Sequence, residues 1–243
     1  MPKNQGLEIS PGTLARIGGA LYLLIIVLGI FGEAFVRERI VVSGDAVRTA
    51  AHLHAMESLW RLGIATEFTL LLCATALTAI FYVLLAPVSR TLALLATIFN
   101  VVSISIEAVA GLFLVQTLFP LDNTGYLKAF TPEQLAALAR MSVRAHGNGF
   151  SIALLFFAFV CLFLGTLIFK SGFLPRAIGV GMMIAGVCYG TDSYLLVLTP
   201  ALADRLFPAI LIPSFIGELS FCLWLLIKGV NVERWRARAI GTT

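Results

Sequence analysis

Long apolar runs, separated by short polar stretches, fill the chain from residue 14 to residue 227. Crossing a bilayer core about 30 Å thick takes about 20 helical residues. Six runs reach that length, over residues 14–36, 58–85, 91–119, 149–169, 174–198 and 206–227. Apolar residues follow one another inside each run without the period-two alternation of a barrel strand, so the pattern predicts helices. Pro87, Pro120 and Pro200 follow the ends of the second, third and fifth runs.

The connections alternate in length. Pro87-Val88-Ser89-Arg90 joins the second run to the third, and residues 170–176 join the fourth to the fifth. Both tight turns fall on the side of the two termini. The opposite side carries the longer stretches 37–57 and 120–148. The first of these predicts a short helix over residues 50–59. In the second, Thr131-Pro132-Glu133-Gln134 is a helix start, with Thr131 as cap, Pro132 in the first position and Gln134 closing a capping box. That helix is expected to run through Arg140 towards Arg144. The predicted class is an all-α integral membrane protein. It is one transmembrane domain over residues 1–243: a bundle of six transmembrane helices, short amphipathic helices in the two long loops and a basic tail at 230–243.

Composition agrees with this. Of 243 residues, 59% are hydrophobic and 12% charged, about half the charged share of a soluble domain. The net charge of +4 does not point to nucleic acid, because the cations lie mostly between the apolar runs, as topological anchors do. Membrane lipids are the expected partners. The two sides carry nearly equal numbers of cations. Those on the terminal side, such as Arg16, Arg90, Lys170, Arg176 and Lys228, sit tightly against run ends. That favours cytoplasmic termini. Arg234, Trp235, Arg236 and Arg238 form a tail that is either interfacial or solvated. The stretch MPKNQGLEISPGTLARIGG lacks a compact signal-peptide form, so the first run reads as a retained anchor. Cys73, Cys161, Cys188 and Cys222 each lie inside an apolar run with no CxxC spacing, which predicts packing roles without disulfides.

A spacing recurs between cation and acid. Glu33 follows Arg16 by 17 residues, Glu107 follows Arg90 by 17, and Asp192-Ser193 stands at the same distance from Arg176. This is roughly 25 Å of helix, most of the bilayer core. The spacing hints at a repeat of two-helix units in which the last helix pairs with the first, though interfacial anchors alone produce the same pattern.

The embedded polar groups are the candidate site. Glu107 is preceded by an uncharged run and followed by an apolar one, and an intramembrane carboxyl is a functional hypothesis by default. Asn100, Ser103 and Glu107 share a helix face by spacing, with Asn100 and Ser103 read mainly as interhelical hydrogen bonders. Glu218 lies deepest, ten residues before Lys228. A lone carboxylate at such a depth needs a proton, a cation or a ligand, and Pro208 and Pro213 are expected to bend its helix. Glu67 lies about 9 Å into the second run after Arg61, near the expected depth of Glu33. Glu57 and Arg61 have the spacing of a surface ion pair. Glu33 and Asp192 stand near run ends, where side chains reach water.

His146 opens the fourth run, and His52 and His54 lie in the first long loop. They are weak metal-ligand candidates, because HxxxH and HExxH spacings are absent. His146 fits better as the hydrogen-bond partner of a nearby carboxyl. No cofactor is expected, no catalytic residue stands out, and whether the protein is an enzyme stays open.

Four stretches carry a family resemblance: Trp60-Arg61-Leu62-Gly63-Ile64-Ala65-Thr66-Glu67, His146-Gly147-Asn148-Gly149-Phe150, Lys170 to Gly179, and Ile216-Gly217-Glu218-Leu219-Ser220 with Trp224 to Gly229. From about Ala15 to Gly229 the chain resembles the prokaryotic multipass membrane proteins grouped as domain of unknown function 4386. The resemblance implies about six membrane helices in a prokaryotic plasma membrane and supplies no reaction. The expected role is an acidic intramembrane pocket lined by Glu33, Glu67, Asn100, Glu107, His146 and Glu218. It would bind a proton, a cation or a small polar or cationic molecule in a permease-like or sensing protein. The alternatives are an intramembrane enzyme using His146 and carboxylates on a lipid-like substrate, and an accessory protein whose acids pair with Arg61 and Arg144.

Overall fold

A computed structural model describes residues 9–121 and 125–240. The segment ahead of Ile9 and residues 241–243 of the basic tail lie outside the described residues. The described chain is helices joined by short connections, and the described residues include no strand. Helix α1 (Pro11–Ile30) runs into a π-helical turn (Phe31–Arg37) and the short α2 (Glu38–Ile40). Then come α3 (Ala46–Ala55), α4 (Glu57–Leu85), α5 (Arg90–Gln116), α6 (Pro132–Ser171), α7 (Arg176–Leu198), α8 (Pro200–Leu206), α9 (Ile212–Ile227) and α10 (Val232–Ile240).

Among the described residues, six helical stretches are long and apolar enough to cross a membrane: Pro11–Ile40, Glu57–Leu85, Arg90–Gln116, Pro132–Ser171, Arg176–Leu198 and Ala209–Ile227. Within their most apolar windows only 22% to 44% of the residues are buried by protein. The rest turn side chains such as Leu72, Val197 and Leu198 outward, each more than 70% exposed. A surface of this kind is matched by lipid, with every backbone bond satisfied inside the helix. The protein is an all-α, multipass membrane protein.

Several boundaries differ from those the sequence predicts. The loop helix is α3, which starts earlier because Asp45 caps it, Oδ1 accepting from the Arg48 backbone N–H at 2.9 Å. The Thr131 capping box forms: Gln134 N–H donates to Thr131 Oγ1 at 3.3 Å, and Thr131 N–H to Gln134 Oε1 at 2.8 Å. The helix that it opens is not a separate loop helix. It continues as α6 for 40 residues into the membrane run, since no proline interrupts it and a glycine within a helix costs only about 1 kcal/mol. Pro208 and Pro213 do not bend the helix of Glu218. Pro213 occupies the first turn of α9, where its missing N–H is harmless, and Pro208 lies ahead of it in a 3₁₀ turn.

The chain divides into two compact units. Unit 1 is Met1–Leu23, Ala74–Val102 and Leu154–Thr243, and unit 2 is Leu24–Cys73 and Ser103–Ala153.

In unit 1 small residues let helix backbones touch. A Cβ added to Gly179 of α7 would lie 2.6 Å from the Gly165 carbonyl oxygen of α6, and one added to Gly186 would lie 2.6 Å from the Ala158 oxygen. Gly190 meets only the Ala158 methyl, at 3.6 Å. Close packing of this kind drives helix association where lipid removes the hydrophobic incentive. Gly179→Val is therefore expected to cost about 1–3 kcal/mol through overpacking, whereas Gly190→Ala is tolerated. Retention of the folded peak in size-exclusion chromatography after heating distinguishes the two. Helix α9 lies against α1, where Cys222 Sγ stands 3.5 Å from the Gly19 carbonyl oxygen. The turn from α6 to α7 uses Gly172 at φ +74°, a left-handed conformation that costs glycine little.

Unit 2 has its own core. Val36 and Ile40 at the end of the first span, Leu53 of α3, Trp60 and Ile64 of α4, Leu114 of α5 and Ala139 of α6 pack together. Gly63 admits Val36 here, for an added Cβ would stand 2.7 Å from the Val36 side chain.

Candidate functional site

The candidate site of unit 2 is built around Arg37. The π-helical turn at Phe31–Arg37 carries both Glu33 and Arg37. It is the π-helical segment among the described residues, and such turns are frequent at functional sites. Arg37 Nε donates to Glu33 Oε2 at 2.6 Å, and its Nη1 donates to Glu67 Oε2 on α4 at 2.9 Å. The other Glu67 oxygen meets His146 Nε2 of α6 at 2.9 Å. An ionised carboxylate only accepts, so Nε2 carries the hydrogen in that contact. His146 stacks on Phe150 one turn later, with ring centroids 6.5 Å apart.

Burial grades this chain of contacts. The Glu67 side chain is 8% exposed, His146 5%, Arg37 20% and Glu33 54%. One end is open and the other is closed, and the guanidinium joins them. Glu107 completes the cluster from α5. Glu107 and Gly111 lie on one helix face by spacing, and a Cβ on Gly111 would stand 3.6 Å from Glu67 Oε1. The half-buried Glu107 carboxyl makes no salt bridge or hydrogen bond among the described residues.

The structure thus brings together Glu33, Glu67, Glu107 and His146. Glu218 and Asn100 belong to unit 1 and have partners of their own. Tyr22 Oη donates to Glu218 Oε2 at 2.8 Å, and Tyr189 Oη donates to Glu218 Oε1. Phe81 and Phe221 pack edge-on to the Tyr22 ring at 5.9 Å and 6.2 Å. Asn100 Nδ2 donates to Thr78 Oγ1 at 2.6 Å, on the wall of a shallow cleft that Phe81, Tyr82 and Leu164 also line. Ser103, expected to join helices, donates to the Ala153 carbonyl oxygen at 2.8 Å.

His52 and His54 lie two residues apart on α3, where helix geometry points them in different directions. Among the described residues no group of three or more His, Cys, Asp or Glu side chains is arranged to hold a metal ion. The four cysteines are free thiols, with Cys161 and Cys222 buried. Arg61 pairs with Glu57 at 2.7 Å, the surface pair that the spacing predicts. Glu67 draws on Arg37 in its place, and Arg144 is exposed.

Sequence reasoning passed over three residues. Arg37 stands four residues after Glu33, the spacing of a helical ion pair, and that was its available signal. Tyr22 and Tyr189 each place a phenol in an apolar helix, and a buried phenol needs a partner. Nothing local says that both phenols meet Glu218.

An uncharacterized protein of Archaeoglobus fulgidus is 25% identical over 163 residues, which is 67% of this chain and 80% of that relative. No solved structure matches the chain. The model of the family described as a domain of unknown function (DUF4386) matches residues 17–229, nearly the whole apolar region that holds both acidic clusters, and the chain belongs to that family.

Proposed function

We propose that this multipass membrane protein binds a proton or a small cation at the cluster of Glu33, Arg37, Glu67, Glu107 and His146, in a permease-like or sensing role. The observation that carries the reading is Glu107, a carboxyl beside Glu67 and Arg37 with no hydrogen bond or salt bridge of its own among the described residues. Arg37 already serves Glu33 and Glu67, so the cluster holds more carboxyls than permanent cations. A proton, a metal cation or a small organic cation would supply the missing charge. Glu33, half-exposed, offers a way in from outside the cluster.

A ligand at a hundred times its dissociation constant stabilises the folded state by about 2.7 kcal/mol. The purified protein is accordingly expected to gain thermal stability with changing pH or with added sodium, potassium or tetramethylammonium. Glu107→Gln is expected to remove that gain. Glu57→Gln, at the surface pair, is expected to keep it. A wild-type protein indifferent to pH and to all three cations, or a Glu107→Gln variant that still responds, would overturn the reading.

A second reading has its own support in the 2.9 Å contact between His146 and Glu67. A histidine oriented by a carboxylate is a recurring acid–base arrangement, which fits an intramembrane enzyme acting on a lipid-like substrate. Turnover of a lipid by the wild type, lost in His146→Gln, would favour it. We place the protein in a prokaryotic plasma membrane with cytoplasmic termini, on the cations that crowd the run ends of the terminal side. A fluorescent reporter fused after residue 243 should then mature and glow in cells.

A further inference from the structure

The cleft that holds Asn100 lies in unit 1, between α4, α5 and α6. It contains about 240 Å³ of empty space, part of it open to the outside. Pockets for drug-sized molecules run from about 300 Å³ upward, so this one is small for a whole lipid. It is on the scale of one ring or head group whose chain stays in the bilayer. Ala93 and Ala96 of α5 give it room, and Val160 and Leu164 of α6 wall it with apolar carbon. Among the described residues that line it, none is charged.

Two polar groups of this cleft have hydrogen-bonding capacity that the protein does not use. Thr78 Oγ1 donates to the Ala74 carbonyl oxygen at 2.7 Å, so it accepts from Asn100 Nδ2. An amide has two N–H donors and an oxygen acceptor. The second N–H and the Oδ1 of Asn100 have no partner among the described residues. Tyr82 Oη also makes no hydrogen bond among the described residues, and Tyr82 is 36% exposed at the rim.

Depth decides what can meet these groups. Asn100 lies ten residues after Arg90, about 15 Å of helix below the start of α5. At that depth water is absent and an unpaired hydrogen-bonding group is costly. A charged lipid head is held at the interface, because burying its charge costs more than a hydrogen bond returns. The matching partner is neutral, dissolves in the bilayer core and carries oxygens that take hydrogen bonds. Tyr82 stands one turn from Thr78 on the same face of α4, about 6 Å along the axis. That span is on the order of one ring. Phe81 sets an aromatic ring beside them, packed in turn on Phe221 at 5.2 Å. A quinone has this chemistry: it is flat and uncharged, with a carbonyl oxygen at each end of the ring and a chain that dissolves in lipid.

We propose that this cleft binds the ring of a membrane quinone, with Asn100 and Tyr82 holding its two oxygens and the chain running out into lipid. Its residues belong to unit 1, so it stands or falls apart from the acidic cluster of unit 2. A neutral hydrogen bond changes binding about fivefold, and two together are worth on the order of 25-fold.

The test titrates the full-length protein in a neutral detergent with decylubiquinone, a quinone on a short chain. Trp235 Nε1 donates to the Leu84 carbonyl oxygen at 2.8 Å, two residues from Tyr82, and a quinone quenches indole fluorescence at short range. Saturable quenching and a rise in thermal stability are expected. Decylbenzene has the ring and chain without oxygens, and dioctanoylglycerol has carbonyls without the ring. Both are expected to leave thermal stability unchanged at the same concentration. Tyr82→Phe removes an oxygen that no described residue uses. It should keep the ligand-free stability of wild type and bind the quinone about fivefold more weakly. The Tyr82→Phe, Asn100→Ala double variant should bind roughly 25-fold more weakly. Quenching that does not saturate, an equal stabilisation by decylbenzene or dioctanoylglycerol, or undiminished binding by Tyr82→Phe would each overturn the proposal.

Discussion

Replacing Arg37 by methionine is expected to destabilise the protein by about 3–5 kcal/mol, the range for removing one partner of a buried ion pair. The damage falls on Glu67. Its side chain is 8% exposed, so it has no water to turn to once the guanidinium at 2.9 Å is gone. His146 remains on Glu67 Oε1, but Oε2 is left without its donor. Glu33 is 54% exposed and can be solvated alone, so Glu33→Gln is expected to cost under about 1 kcal/mol. The decisive comparison is Arg37→Met with Glu67→Met. Replacing a buried pair by apolar side chains of similar volume is often neutral or stabilising, so the double variant should recover most of the loss. Thermal unfolding of the purified protein measures all three. A double variant no better than Arg37→Met would show that the ion pair with Glu67 is not what Arg37 supplies.

Trp60→Ala is the second large effect, expected at about 3–5 kcal/mol. Trp60 is 1% exposed and lies in the unit 2 core with Val36, Ile40, Leu53 and Leu114. Its Nε1–H donates to Thr117 Oγ1 at 2.7 Å and lies 3.3 Å from the Leu114 carbonyl oxygen. Alanine opens a cavity that helices held by their own backbone bonds cannot close. It also deprives α3 of the surface under Leu53. Trp60→Phe keeps most of the volume and loses only the N–H donor, so about 0.5–1.5 kcal/mol is expected. Loss of stability by heating, with faster protease cleavage between residues 41 and 56, would mark the alanine variant. Equal behaviour of the two variants would mean that the hydrogen bond, not the packing, is what counts at Trp60.

The two acidic clusters differ in how far the sequence reveals them. The depth argument singles out Glu107, Glu67 and Glu218 as embedded, because runs of uncharged residues around a carboxyl are a local signal. The anticipated partner arginines were Arg61 and Arg144, nearest in sequence to the runs that hold Glu67 and His146. The structure uses Arg37. The π-helical turn from Phe31 to Arg37 presents Glu33 and Arg37 together, and Gly63 admits Val36 closely enough to bring that turn against α4. A turn of this kind leaves no trace in hydropathy. Glu218 was expected beside the other acids, and its partners are instead Tyr22 and Tyr189, which are 196 and 29 residues from it in sequence. The basic tail was legible as cationic and aromatic. That Trp235 docks it on Leu84 depended on where a turn more than a hundred residues away ends up.

What the sequence determined by itself follows from free energies that act locally. Apolar run lengths set six membrane helices, since burying an unpaired backbone in lipid costs several kcal/mol per group. Capping residues such as Asp45 and Thr131 set helix starts. The tertiary structure alone decided which acid meets which partner. A carboxylate in a membrane helix must be compensated, but the compensation can come from any helix within a few ångströms. The choice between a guanidinium for Glu67 and two phenols for Glu218 was made by packing.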